Sequence, residues 1–205
     1  YFKNLNSVGK NIDTYKSSPQ IEIMNLVNLE SALPLIKTQD NYTNFITPKL
    51  SFRINPSDMK NYENTSRFIN ADNIFDINRL GISDSFEQGK SLTLGVDYKK
   101  ESTDDINKYF ELKLAGVLRD TPEKNIPIKS SINQETSNLF GSTKYNLSEK
   151  FNVNYNFSID NDLNTFEENS IGFGLKFDWI LDFFKLDIAF INYFISNLWG
   201  FGVLG

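Results

Sequence analysis

The chain of 205 residues has no cysteine and no histidine. The first absence excludes a disulfide framework, a thiolate metal site and a cysteine nucleophile. The second removes Ser-His-Asp and Cys-His catalysis and the common zinc constellations. Acid–base chemistry would have to rest on carboxylates. Glu167 and Glu168 are adjacent, as are Asp104 and Asp105. Neighbours on a strand face opposite ways, so neither pair converges as a dyad. The reading is of a non-enzyme with no catalytic, metal or cofactor-binding residues. Positive charge is also scarce: 21 Lys and Arg against 26 Asp and Glu leave a net charge of −5. That argues against a nucleic-acid partner. No charged-then-apolar leader precedes Tyr1, which reads as a fragment or a mature segment.

What the chain does have is alternation. Phe151, Val153, Tyr155, Phe157 and Ile159 interleave with Asn152, Asn154, Asn156, Ser158 and Asp160. A strand sends successive side chains to opposite faces, so this one is oily on one side and wet on the other. Soluble strands run about five or six residues, whereas a tilted strand crossing a bilayer needs roughly nine to eleven. Several of the alternating runs here reach the second length. Hydrophobic residues make up only 40%, yet aromatics reach 14%, with 18 Phe. Barrels of the outer membrane have this composition, because a polar lumen dilutes the lipid-facing residues.

Seven such runs are legible. They are Val27–Leu33 (ended by Pro34), Phe45–Ile54, Lys90–Lys99, Lys108–Leu118, Ser137–Leu147, Lys150–Asp160 and Asn169–Asp178. The connections 55–89, 119–136 and 161–168 are long or medium, and 100–107 and 148–149 are short. Outer-membrane barrels sort their loops in this way, short on the periplasmic side. The fold expected is all-β, an antiparallel transmembrane β-barrel segment, incomplete with about seven strands. Residues 1–178 read as part of the barrel domain. Residues 179–205 lose the period of two and read as an atypical apolar tail: a deformed strand, a buried helix or a non-native sequence. Asp182, Lys185 and Asp187 interrupt what would otherwise resemble a membrane helix. On the faces so assigned, Leu94→Arg predicts a large cost against lipid and Thr93→Arg a much smaller one in the lumen.

The most distinctive string runs from Asp72 to Gly89, in the long connection before a strand. Arg79 can make charge-assisted bonds to Asp72, Asp84 or Glu87 and pin the loop. Gly81 and Gly89 can take backbone angles closed to other residues. Gly172 and Gly174 lie on the polar face of a strand with no helix after them. They therefore read as space-making rather than phosphate-binding.

The order Asp72-Asn73-Ile74-Phe75, Asn78-Arg79, Gly81 with Asp84, and Glu87 with Gly89, followed by the alternating Ser91–Tyr98, resembles a signature of the LPS-assembly outer-membrane proteins. This is the LptD, or organic solvent tolerance, family, and the signature lies in its C-terminal barrel. Thr47 to Arg53 resembles the preceding strand of that family. The resemblance covers roughly residues 26–178. Two departures are Ser85, where the family often has Arg, and residues 179–205, which supply no further alternating strands. The resemblance implies a large barrel in the cell outer membrane that inserts lipopolysaccharide into the outer leaflet. It implies lipopolysaccharide, outer-membrane lipid, a plug lipoprotein and periplasmic bridge proteins as partners. Another outer-membrane barrel (porin or adhesin) and a soluble β-sandwich binding module are the alternatives.

Overall fold

The computed structural model describes residues 2–7, 20–176 and 191–193, with side chains from 24 to 176. The rest of the tail at 179–205, and residues 8–19, lie outside the described residues. The strands are β1 (Phe2–Ser7), β2 (Gln20–Asn25), β3 (Val27–Ala32), β4 (Leu35–Thr38), β5 (Tyr42–Asn55), β6 (Gly89–Ser102), β7 (Tyr109–Arg119), β8 (Leu139–Ser148), β9 (Phe151–Ile159), β10 (Phe166–Leu175) and β11 (Ile191–Tyr193). β1 and β2 form a separate antiparallel pair. The others make one antiparallel meander in the order β11-β10-β9-β8-β7-β6-β5-β3, with β4 also on β5. Its edges do not meet among the described residues, so the sheet is an open piece of a barrel wall.

β3 and β4 are one line of chain. Ala32 pairs with Lys49 and Leu35 with Ile46 in an unbroken register. The ladder is interrupted only where Pro34 and Pro48 lack an N–H, and the Leu33 N–H still donates to the Pro48 carbonyl at 3.0 Å. Counted so, seven strands cross from one end of the sheet to the other before the short β11. β5 and β6 have 14 residues each and β7 to β10 have 11, 10, 9 and 10. These lengths span a bilayer, whose tilted strands need about nine to eleven residues.

The two faces are inverted relative to a water-soluble sheet. Leu29, Leu50 and Leu94 are 62%, 41% and 44% exposed on the apolar face. On the polar face Ser51 and Thr93 are fully buried, and Arg53, Ser91 and Arg119 nearly so. A soluble sandwich does the opposite, packing its apolar faces together. The polar face is buried because the two long connections, 56–88 and 120–138, fold back over it. Met59, Ile69, Ile74, Leu80, Ile82, Ile126 and Ile132 of these loops pack with Ala115 and Val117 of β7 and Phe140 of β8. Ala115, Val117 and Phe140 are apolar residues on the inner face where the loops come down, and the core forms on them. Among the described residues no helix is long and apolar enough to cross a membrane, which says nothing of strands.

Candidate functional site

The Asp72–Gly89 string forms the part of the 56–88 loop that lies against β5, β6 and β7. Asn and Gly shape it locally. The Asn70 carboxamide oxygen accepts from the N–H groups of Asp72 and Asn73, both at 3.0 Å. The Asn73 oxygen accepts in turn from the Asn70 N–H at 2.9 Å. Short polar side chains that bond their own backbone are what turns select for. Gly81 has φ of +62°, its N–H donates to the Asn78 carbonyl, and the Asn78 side chain accepts from the Ile82 N–H at 3.0 Å. Gly89 enters β6 at φ +89°, where a Cβ would press on the Arg119 guanidinium. Both positions favour a residue without a side chain.

Arg79 is the centre. Its side chain is fully buried and its five N–H donors meet five acceptors. Nε and Nη2 donate to the two Glu87 carboxylate oxygens, each at 2.6 Å. Nη1 donates to Thr93 Oγ1 at 2.8 Å and to the Ile74 carbonyl at 3.3 Å. Nη2 also donates to Ser91 Oγ at 3.3 Å. A bidentate guanidinium–carboxylate pair is geometrically specific, and desolvation makes its two members dependent on each other. The sequence left Asp72, Asp84 and Glu87 as possible partners, and the fold selects Glu87. Asp84 binds Lys60 Nζ at 3.1 Å and the Tyr62 hydroxyl. Asp72 binds Lys113 of β7. The Phe75 ring sits where a Cβ of Gly95 would be. The loop is thus held at Asp72, Phe75, Arg79 and Glu87.

Two further arginines belong to the cluster and were not read from the sequence. Arg53 of β5 donates from Nη1 to the Asp76 carbonyl at 2.8 Å and from Nη2 to the Ile77 carbonyl. Arg119 of β7 donates to the Gln88 carbonyl and lies 3.7 Å from Glu87. The available signal was position: each is an arginine near the loop end of a strand, on the inward register. Thr93 also corrects an expectation. It was placed on an open lumen wall, but it is fully buried beneath the loop as an acceptor for Arg79. Thr93→Arg is therefore no mild control.

The uncovered part of the inner face lies over β8 to β10. Asn152, Asn154 and Asn156 line a concavity of roughly 460 Å³ with Ser142, Lys144 and Lys113. Gly172 and Gly174 leave room there for the Asn154 and Asn152 side chains. Glu167 accepts from Asn138 at 2.6 Å, and Glu168 pairs with Ser158 in the ladder. Among the described residues no group of carboxylates could hold a metal ion.

Burial alone would push the Glu87 carboxyl up. The Arg79 guanidinium beside it, by charge and by hydrogen bonds, with Arg53 and Arg119 behind, outweighs burial and holds it down at about 2. The unfolded carboxyl titrates at its ordinary value of 4.5. Below that value the detached loop takes up a proton that the attached loop does not, so attachment weakens as pH falls from 4.5 toward 2. Protease cutting within 56–88 is expected to stay flat from pH 8 to about 5 and to rise below that range. An acid-stable protease read by mass spectrometry checks it, and Glu87→Gln should remove most of the pH dependence while raising the cutting at neutral pH, Asp84 with its Lys60 and Tyr62 contacts keeping the remainder.

Compared with known proteins, the chain matches one family model, LptD: LPS transport system D, over residues 3–183. No curated protein matches it.

Proposed function

This chain belongs to the LptD family, and from that premise we propose that it forms part of the wall of an outer-membrane barrel that inserts lipopolysaccharide into the outer leaflet. The family is one of transport, not of enzymes. The observation that carries the membrane part of the reading is the inverted sheet, with exposed Leu, Val and Phe outside and Asn, Ser, Lys and Arg inside. Such a surface is stable where hydrocarbon, not water, meets the apolar face.

On this reading the described segment has two jobs. Its outer face meets lipid. Its inner face is half sealed by the 56–88 and 120–138 loops and half open along the Asn152–Asn154–Asn156 ladder. The sealed half stiffens the wall, since Arg79 joins the loop to β6 through Ser91 and Thr93. The open half offers amides and hydroxyls that suit the sugar and phosphate groups of a lipopolysaccharide. The plug lipoprotein and periplasmic bridge proteins are the proposed partners of the whole barrel, and the 72–89 string is proposed as its lumen lock.

The test is depletion of the parent protein in cells. Surface lipopolysaccharide is expected to fall, read by labelling intact cells, while the parent protein fractionates with the outer membrane and migrates differently on gels with and without heating. Unchanged surface lipopolysaccharide after depletion, with the parent protein behaving as a barrel in undepleted cells, would instead favour a porin or adhesin. Recovery as a detergent-free soluble monomer would end the membrane reading altogether.

A further inference from the structure

The charges of the outward face follow a pattern that the transport reading does not require. Strand pairing places Lys37 beside Asn44, Asn44 beside Lys100, Lys100 beside Phe110, and Phe110 beside Tyr145. This row crosses the outward face at the end of the sheet that carries the short turns. Lys108, one residue before β7, lies at the same end. Among the described residues the one other outward lysine of β3 to β10, Lys90, is at the opposite end, where it pairs with Ile54 and flanks Asp120. Among the described residues no outward position of β3 to β10 holds Asp or Glu.

Around Lys100 and Lys108 the surface is concave. Tyr42, Tyr98, Phe110 and Tyr145 line a groove of roughly 760 Å³ with the two lysines. Its aromatic floor is continuous: Tyr98 and Phe110 have ring centroids 6.3 Å apart, and Phe110 and Tyr145 6.4 Å. The Tyr98 hydroxyl donates to the Asn44 side chain at 3.0 Å, which fixes its ring. Lys100 Nζ lies 4.3 Å from the Tyr42 ring centroid. Among the described residues neither Lys100 nor Lys108 has a carboxylate partner.

An ammonium group on a lipid-facing surface is costly at the midplane and acceptable at the interface, where the side chain reaches toward headgroups. Two of them over an aromatic floor, with no acid on that face, make a surface of one sign. We propose that this groove seats the phosphate of a glycerophospholipid of net negative charge, in the leaflet nearest the short turns, with the acyl chains lying along Leu112 and Val96. The proposal rests on the membrane reading and goes beyond it. The occupant is a bilayer lipid rather than the transported lipopolysaccharide because the groove is at the end away from the long loops, the periplasmic end of such barrels.

The experiment uses the full parent protein purified in a neutral detergent. Native mass spectrometry counts retained dioleoyl phosphatidylglycerol, with dioleoyl phosphatidylcholine and inorganic phosphate as separate arms. Wild type is expected to retain phosphatidylglycerol over phosphatidylcholine, with no loss in millimolar phosphate. Lys100→Gln with Lys108→Gln should lower retention about ten- to thirty-fold, from the ~1 kcal/mol that each basic side chain gains at an anionic lipid surface. Lys100→Arg with Lys108→Arg should keep most of it, which guards against a folding defect in the neutral pair. Equal retention by wild type and the glutamine variant, equal retention of the two lipids, or displacement by phosphate alone overturns the proposal. Heat-modifiable migration is scored on every sample. An assembled barrel without lipid preference sinks the groove alone, whereas a wild type that forms no barrel sinks the membrane reading beneath it.

Discussion

Arg79→Ala is expected to release the 56–88 loop from the sheet while leaving the barrel assembled. Alanine removes five donors at once. It leaves the Glu87 carboxylate buried, with Ser91 Oγ and Thr93 Oγ1 losing their bonds to the guanidinium. Breaking a buried pair by removing one partner costs about 3–5 kcal/mol, most of it from the stranded charge. Arg53 and Arg119 remain nearby and soften the loss, so the low end, about 3 kcal/mol, is the better figure. That corresponds to a roughly hundredfold rise in the open population, and protease cutting follows that population when reclosing is fast. The control is Lys60→Ala, which removes an ion pair whose two side chains are 44% and 37% exposed. Exposed pairs contribute under about 1 kcal/mol, so its cutting should rise only a few-fold. The strands are joined by main-chain ladders that neither change touches, so heat-modifiable migration should persist in both. If Arg79→Ala is cut no faster than Lys60→Ala, the loop is not locked through Arg79.

The strands were legible in the sequence and the lock only in part, for a physical reason. Period-two alternation is a local property, and Phe151–Ile159 displays it with every residue. It therefore announced both the strand and its two faces. Pro34 marked a true interruption, but its partner Pro48 had to be brought opposite by pairing before the single long line of β3 and β4 became visible. The lock joins residues of four separate stretches: Arg53, Arg79 with Glu87, Thr93, and Arg119. Only the pair within one loop shares a local string. Arg53 and Arg119 look like ordinary inward residues until register puts both opposite Ser91. Thr93 was misread as lining open water for the same reason. Alternation tells which face a residue takes and is silent on what then covers that face. Val117 and Phe140 carried the missing hint, as apolar residues on a polar face where two loops come down.

Leu94→Arg is expected to be the most damaging single change on the outer face. Leu94 pairs with Leu50 and Gly116, lies near the middle of the 14-residue β6, and is 44% exposed. An arginine there meets hydrocarbon at mid-depth, which costs roughly 2–4 kcal/mol and falls toward zero near the interfaces. The matching inward change is Asn156→Arg. Asn156 pairs with Ser142 and Ser170 and lines the open concavity that also holds Asp72 and Glu111. A guanidinium there keeps water and gains acids, so its cost should stay below about 1 kcal/mol. Thr93→Arg separates the two ways of failing. It is buried beside Arg79, so it should expel the 56–88 loop and raise cutting there without the loss of barrel stability that Leu94→Arg produces. Urea unfolding in lipid vesicles measures the first quantity and proteolysis the second. Equal unfolding midpoints for Leu94→Arg and Asn156→Arg would mean that the exposed leucines do not face hydrocarbon, since a charge at a position with no protein packed over it is costly only where lipid is the solvent.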